Sequence, residues 1–179
     1  SALLALTLLL SACGHRDRPP AATDVPTPWA TSVDGVLSLR LIAPRTAISA
    51  EEPFVLLAEL RNNTDEPINV LRPFGDKFGA AWRLRITGPD GTLPYTGSIL
   101  EYEMAAEIFI TLGPGEVIQD REDFRALQYA GSDTPGRYTI VYPYSVSHDS
   151  REMATSPRVG KHGLWVGEII SEPITIEKR

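Results

Sequence analysis

Thr134-Pro135-Gly136-Arg137-Tyr138-Thr139-Ile140-Val141-Tyr142-Pro143-Tyr144-Ser145 decides the fold class. Thr134-Pro135-Gly136 is turn chemistry, and beyond it Tyr138, Ile140, Tyr142 and Tyr144 alternate with Thr139, Val141, Pro143 and Ser145. Successive side chains of a strand point to opposite faces, so a period of two marks a half-buried strand. Proline donates no backbone hydrogen bond, which confines the second half of the run, from Pro143, to an edge or a bulge.

The same pattern recurs on both sides of this stretch. Leu37, Leu39 and Leu41 alternate with Ser38 and Arg40, and Pro53 to Arg61 reads as a longer apolar strand. Asn62-Asn63-Thr64-Asp65-Glu66 supplies a turn before Pro67-Ile68-Asn69-Val70-Leu71 returns. Trp82, Leu84 and Ile86 alternate with Arg83, Arg85 and Thr87 ahead of the turn signal Pro89-Asp90-Gly91. Ile108, Ile110 and Leu112 precede Pro114-Gly115, and Pro173-Ile174-Thr175-Ile176-Glu177 closes the chain. The only helical candidates, residues 98–106 and 123–129, have two turns at most. Short strands separated by turns predict an all-β fold, an antiparallel sandwich.

Gly136-Arg137-Tyr138 at the start of a late strand resembles the tyrosine corner of immunoglobulin-like sandwiches, where the phenol bonds back to upstream backbone. Antibody domains carry a cysteine two residues after that tyrosine; Ile140 stands there instead, so it is expected to pack in place of a disulfide. The order Phe109, Leu112-Gly113-Pro114-Gly115-Glu116, Asp123-Phe124, Tyr129, Gly136-Arg137-Tyr138 is similar to the propeptide-like, non-catalytic domain of deuterolysin-type secreted proteins. That likeness covers about a third of the chain, in turn and core positions, and implies a fold without chemistry.

The first residues carry a different message. From Ala2 to Cys13 the chain is almost wholly apolar and uncharged, then stops at Gly14-His15-Arg16-Asp17-Arg18. Such a run is too short to cross a ~30 Å hydrocarbon core, which takes about 20 helical residues. It matches the apolar region of an export signal, with the positive n-region expected ahead of Ser1. Leu10-Ser11-Ala12-Cys13 resembles the lipobox of bacterial lipoproteins. The resemblance implies that residues 1–12 are a signal peptide and that Cys13 becomes the lipidated first residue of the mature protein. Gly14, standing where Asp would retain such a protein at the inner membrane, implies sorting to the outer membrane. One acyl chain binds membranes only marginally, whereas two or more anchor stably.

Cys13 is the only cysteine, so no disulfide is available and stability must come from the core. Residues 13–33, with Pro19-Pro20, Pro26 and Pro28, read as a proline-rich tether able to span on the order of 50–60 Å at ~3.1 Å per residue. Trp29 is expected to pack onto the domain edge. Residues 34–179 make one domain, long enough for an ordinary core.

The net charge of -6, with no basic stripe, argues against a nucleic-acid partner. The histidines are His15 in the tether and His148 and His162 in loops, with no His-Glu-x-x-His, no Gly-x-Ser-x-Gly and no phosphate-cradling loop. Asp149 beside His148 is weighed as part of a metal pair with His162, and solvated loop histidines are expected instead. Asp120-Arg121-Glu122-Asp123 lacks the spaced ligands and central glycine of a calcium loop and reads as a solvated, charge-rich turn. Glu101, Glu103 and Glu107 with Tyr102 could pair as acid and base, but decoration of a long loop is the expectation. Tyr142, Tyr144, Trp165 and Tyr95 are expected in the core, a binding face being the alternative. The long polar connection 147–163 is the first place to look for recognition.

No catalytic residue, metal or other cofactor is expected. The sequence thus points to a lipid-anchored, non-enzymatic envelope protein that holds the membrane through Cys13. Its sandwich would bind or scaffold another protein or a polymer. The alternative is a proteinase inhibitor that presents residues 101–108 or 147–163 to its target.

Overall fold

In the computed structural model of the chain, residues 24–74, 83–97, 109–124, 129–147 and 163–179 are described, and apart from a 3-10 turn at Arg83 their regular elements are strands. In chain order these are β1 (Val25–Pro26), β2 (Ala30–Thr31), β3 (Leu37–Ala43), β4 (Ala47–Ile48), β5 (Phe54–Asn62), β6 (Ile68–Leu71) and β7 (Arg85–Gly88). They continue as β8 (Gly91–Thr92), β9 (Phe109–Leu112), β10 (Val117–Phe124), β11 (Gly136–Val141), β12 (Pro143–Val146), β13 (Gly167–Ile170) and β14 (Ile174–Lys178). One sheet runs β1-β3-β5-β10, with β2 also on β3; the other runs β4-β14-β11-β7-β8. Two ribbons, β6-β9 and β12-β13, complete the fold. Pairing of the strands is antiparallel except between β14 and β4, which lie parallel.

The alternation that opened the sequence is carried out in full. Tyr138, Ile140, Tyr142, Tyr144 and Val146 are all buried, while Arg137 is exposed and Thr139, Val141, Pro143 and Ser145 are half-buried. β11 is paired on both sides, by β7 and β14, whereas from Pro143 onward β12 pairs only with β13 among the described residues. Ile140 stands opposite Ile174 and Pro143 opposite Ile170. Two residues on one strand therefore face three on the other, which is a bulge. The bulge reverses which side chains face inward: Ile169 and Ser171 are buried before it, Ile174, Ile176 and Lys178 after it. Ser171 fills the gap, its Oγ accepting from the Tyr142 amide (2.9 Å) and its own amide donating to the Tyr142 carbonyl (3.0 Å).

The inner faces of the two sheets meet in one core. Leu37, Leu39, Leu41 and Ala43 of β3 and Phe54, Leu56, Ala58 and Leu60 of β5 pack toward Ile86, Tyr138, Ile140, Ile174 and Ile176. Phe54 and Tyr138 touch edge to face, centroids 5.2 Å apart at 63°. Each such side chain contributes about 1.5–3 kcal/mol when fully buried, so the stacked sheets are stable without a cross-link. Tyr138 makes the upstream contact expected of it: its phenol reaches the carbonyls of Thr134 (2.5 Å) and Gly131 (3.0 Å). Burial, helped by the charges of Asp133 and Asp90, raises its pKa, so the phenol stays a donor. Ile140 is fully buried, as expected of the residue two positions on. Gly136 has φ 148°, and a Cβ there would come within 2.2 Å of Pro89 Cγ, so the turn ahead of Tyr138 requires glycine.

Three expectations need correction. The tether was to end at residue 33, yet Val25 and Pro26 stand opposite Ala43 and Ile42, and Ala30 and Thr31 opposite Leu39 and Ser38, so the sheet starts inside it. Asp120-Arg121-Glu122-Asp123 is the middle of β10 and not a turn. Asp120 stands opposite buried Ala58, on the inner face, where Arg72 neutralises it at 3.0 Å; an inward charge hid the strand period. The helix candidate 123–129 begins within β10, and Tyr129 forms an isolated bridge with Tyr95. The candidate 98–106 lies outside the described residues.

Asn62, fully buried, ties the expected turn to the opposite ribbon. Its Nδ2 donates toward the carbonyls of Glu66 (2.7 Å), Gly113 (3.0 Å) and Leu112 (3.2 Å), and its Oδ1 accepts from the Thr64 amide and hydroxyl. Buried carbonyls left without donors cost about 1–3 kcal/mol each. Asn62→Ala is therefore expected to lower the unfolding free energy by about 3 kcal/mol in a urea titration, with the slope unchanged.

Candidate functional site

The aromatic residues weighed as a binding face belong to the interior. Tyr142, Tyr144 and Trp165 are buried and Tyr95 is half-buried. Trp165 stacks on Tyr144 (5.9 Å, 15°), Tyr144 meets Tyr142 edge to face (6.3 Å), and Phe74 covers Tyr142 (5.1 Å). The Tyr144 hydroxyl donates to the Leu71 carbonyl at 2.8 Å. Burial raises the pKa of both phenols well above the ordinary tyrosine value; nearby Arg83 opposes that rise and Asp120 adds to it. They remain neutral, which suits packing and hydrogen bonding and not proton transfer. Beside them Arg72 holds Asp120 Oδ1, Arg83 donates to the Ser145 carbonyl (3.0 Å), and Asp120 Oδ2 is buried with no hydrogen-bond partner among the described residues.

The outer face of the first sheet is where functional groups are presented to solvent. The antiparallel register sets Arg40 of β3, Glu59 of β5 and Gln119 of β10 in one row across three strands. Arg40 binds Glu59 Oε2 at 2.6 Å and Gln119 donates to Glu59 Oε1 at 2.8 Å. Arg61, two residues along β5, bonds Asn63 Oδ1 at 2.9 Å. Over this row lies Trp29, with the Arg40 and Arg61 guanidinium carbons 4.5 and 4.7 Å from its ring centre. Half-exposed cation–π contacts of this kind contribute about 0.5–1 kcal/mol each. The result is a platform of one indole and two guanidiniums beside one carboxylate, which Arg40 and Gln119 hold, while Arg61 is bonded to neutral Asn63. Such a set of groups can recognise a surface. Sequence reasoning placed Trp29 on the domain edge, where it is, but named none of Arg40, Glu59, Arg61 and Gln119 as a set. Their common signal is the outward phase of each strand's alternation, and only the cross-strand register aligns them.

At one end of the sandwich the turn after β2 is locked to the aromatic core. Asp34 Oδ2 accepts from Trp165 Nε1 (2.9 Å), and Oδ1 accepts from the Ser32 hydroxyl (2.5 Å) and the Val36 amide (3.1 Å). Burial disfavours the carboxylate, but the bonds from Ser32, Val36 and Trp165 outweigh it and lower its pKa below 3.8. Ser147 and Gly163, the described ends of the long polar connection, leave at this same end, next to the β12-β13 pair and Trp165. At the other end a notch of about 80 Å³ is lined by Pro44, Arg45, Ile48, Pro53, Val55 and Ile176. It has room for one small side chain and is far below the usual ligand cavity of roughly 300–1,000 Å³.

The remaining sequence candidates fall outside the described residues: Cys13 with its tetrad, His15, Trp82, Glu101, Tyr102, Glu103, Glu107, Ile108, His148, Asp149 and His162. Among the described residues no group of three or more His, Cys, Asp or Glu is placed to hold a metal ion. Compared with known proteins, the chain matches no family model and no curated protein.

Asp34 gives this end of the molecule a pH dependence of known sign. A carboxylate with a lowered folded pKa contributes stability above its unfolded pKa, and loses it as pH falls through the lower folded value. Asp34→Asn is expected to be less stable than the parent at pH 7 by about 1 kcal/mol. The gap should close below pH 3.8, where the parent also protonates, as read by thermal melts followed through tryptophan emission.

Proposed function

We propose that the chain is a lipid-anchored, non-enzymatic protein of the bacterial envelope, held at the outer membrane through Cys13. Its immunoglobulin-like sandwich binds or scaffolds another envelope protein or a polymer. One observation carries the reading: the tetrad Leu10-Ser11-Ala12-Cys13 closes an apolar run and opens directly onto a proline-rich segment. That order gives a membrane anchor and then a spacer. Because pairing with β3 begins at Val25, the spacer counts twelve residues from Cys13, or about 37 Å at ~3.1 Å per residue. The anchored domain therefore stays closer to the bilayer than a tether running to residue 33 would allow. The tyrosine corner at Tyr138 supports the immunoglobulin-like reading. The structural use of the phenols and of Glu59 supports a binding role over catalysis.

A second reading, a proteinase inhibitor presenting residues 147–163, is favoured by one feature. Both ends of that connection are held on rigid elements, Val146 paired with Gly167 and Trp165 fixed to Asp34. Rigid bases are what inhibitory loops need to keep their shape on binding. Titration of the protein into a panel of serine, cysteine and metallo-proteases decides it: stoichiometric inhibition of any one establishes this reading, and full residual activity throughout removes it.

For the anchor, cells producing the wild type or Cys13→Ala are fed an alkyne fatty acid. The wild type is expected to take up label and sediment with membranes; the variant should fall to background labelling and move to the soluble fraction. Equal labelling of the two overturns the proposal.

A further inference from the structure

The segment 25–32 covers the edge of β3 with unusual completeness for so little strand. At one end Val25 and Pro26 pair with Ala43 and Ile42, and at the other Ala30 and Thr31 pair with Leu39 and Ser38. Between them three residues face two, a bulge that carries Trp29 onto Arg40 and Arg61. Side chains complete the coverage where regular pairing stops. The Thr27 amide donates to the Leu41 carbonyl (2.8 Å) and the Thr27 hydroxyl accepts from the Leu41 amide (3.0 Å). The Ser32 amide donates to the Leu37 carbonyl (2.9 Å) and its hydroxyl accepts from the Leu37 amide (3.0 Å). An edge strand of seven residues is thus closed along its whole length by two strands of two residues each.

Such a cover is local: Thr27 and Ser32 are buried, while Val25 is 42 % exposed at one end and Val33 just beyond the other is fully exposed, so few buried contacts hold it down. Gly35 in the following turn has φ 76° and open space where a Cβ would stand, and its amide donates to the Ser32 carbonyl at 2.9 Å. That turn, with Asp34 held by Trp165, fixes the base from which the segment would lift. What lies beneath is a row of amides and carbonyls, and an uncovered edge of this kind accepts another strand.

We infer that residues 25–32 are a releasable strap over a strand-accepting edge, and that the edge, once uncovered, takes up the same segment from a second copy of this chain. The occupant follows from the chemistry on the edge. Leu41 is met by a hydroxyl, Leu37 by another, and the two arginines by an indole between them; the segment 25–32 supplies all three at the right spacing. A second copy makes the identical contacts, so exchange costs only the opening and the loss of freedom on association. The intact strap is then an autoinhibitory contact that keeps the protein single. This does not depend on acylation of Cys13.

The test uses the full chain in the Cys13→Ala background, so that its outcome is separate from that of the lipid anchor. Trp29→Ala removes the clamp, and Trp29→Ala with Thr27→Val also removes the bond to the Leu41 amide. Hydrogen exchange at Leu37 and Leu41 is followed together with binding of a fluorescent peptide of residues 24–33 in its natural sequence. In the parent both amides should be protected and the peptide should not bind. In the variants exchange should accelerate about tenfold or more, and the peptide should bind, a scrambled peptide failing to do so. Amides that stay protected in both variants show that the segment is not a releasable strap. Amides that open without peptide binding show that the edge is not an acceptor. The single substitution, milder than the double, keeps both outcomes readable if the double variant unfolds.

Discussion

One row of inward side chains, Tyr138, Ile140, Tyr142, Tyr144 and Val146, governs the arrangement of the second sheet and of much that packs on it. The row keeps a single phase across Pro143, so its partner strand has to adapt, and it does so with one extra residue between Ile170 and Ile174. Without that bulge Ile174 and Ile176 would face solvent and the exposed Glu177 would face the core. Proline at both Pro143 and Pro173 suits a place where ladder bonds are interrupted anyway. The tyrosines also carry bonds that isoleucines would not: Tyr138 to the turn at Gly131–Thr134, Tyr144 to Leu71, and the Trp165 stack through to Asp34. Distant parts of the chain are joined through these rings, and a cysteine pair at Ile140 is unnecessary.

Periodicity made most of this legible. Leu37, Leu39 and Leu41 are buried as their alternation implies, although Ser38 and Ile42 on the other face are buried as well, and the continuous apolar run from Phe54 to Leu60 resolves into alternating buried and half-buried positions. Periodicity failed where the inward residue was charged. Asp120 takes an interior position because Arg72 reaches it, and Lys178 takes the last inward position of β14. The lysine is 2 % exposed, bonded to the Ala50 carbonyl at 3.0 Å with its ammonium 4.5 Å from the Phe54 ring centre. Burial lowers its pKa against the pull of Asp133, Glu51 and Glu52. Hydropathy cannot announce a buried charge whose partners come from other strands.

The strap failed to be read for a different reason. Proline at 26 and 28 with no apolar period looks like a spacer, and by itself it is one. It becomes a strand only through bonds given by β3, with hydroxyls of Thr27 and Ser32 standing in where the backbone cannot pair. The platform around Trp29 shares that character, since Arg40, Glu59 and Gln119 are sixty residues apart in part and meet only through register. Sequence shows which residues face outward; it does not show which outward residues are neighbours.

These two features constrain each other. Trp29 lies on the outer platform because the bulge in the strap puts it there, and the strap stays down in part because Trp29 is held between two guanidiniums. Any surface that competes for Arg40 and Arg61 therefore also loosens the cover of β3. Any partner strand that displaces the strap lifts the indole off Arg40 and Arg61, which keep Glu59 and Asn63. Recognition on the face and pairing on the edge are two readouts of one local equilibrium, placed where the chain leaves for its amino-terminal segment. A ligand with equal affinity for the closed and open forms would move nothing; one that displaces the indole from the two arginines would favour the open form.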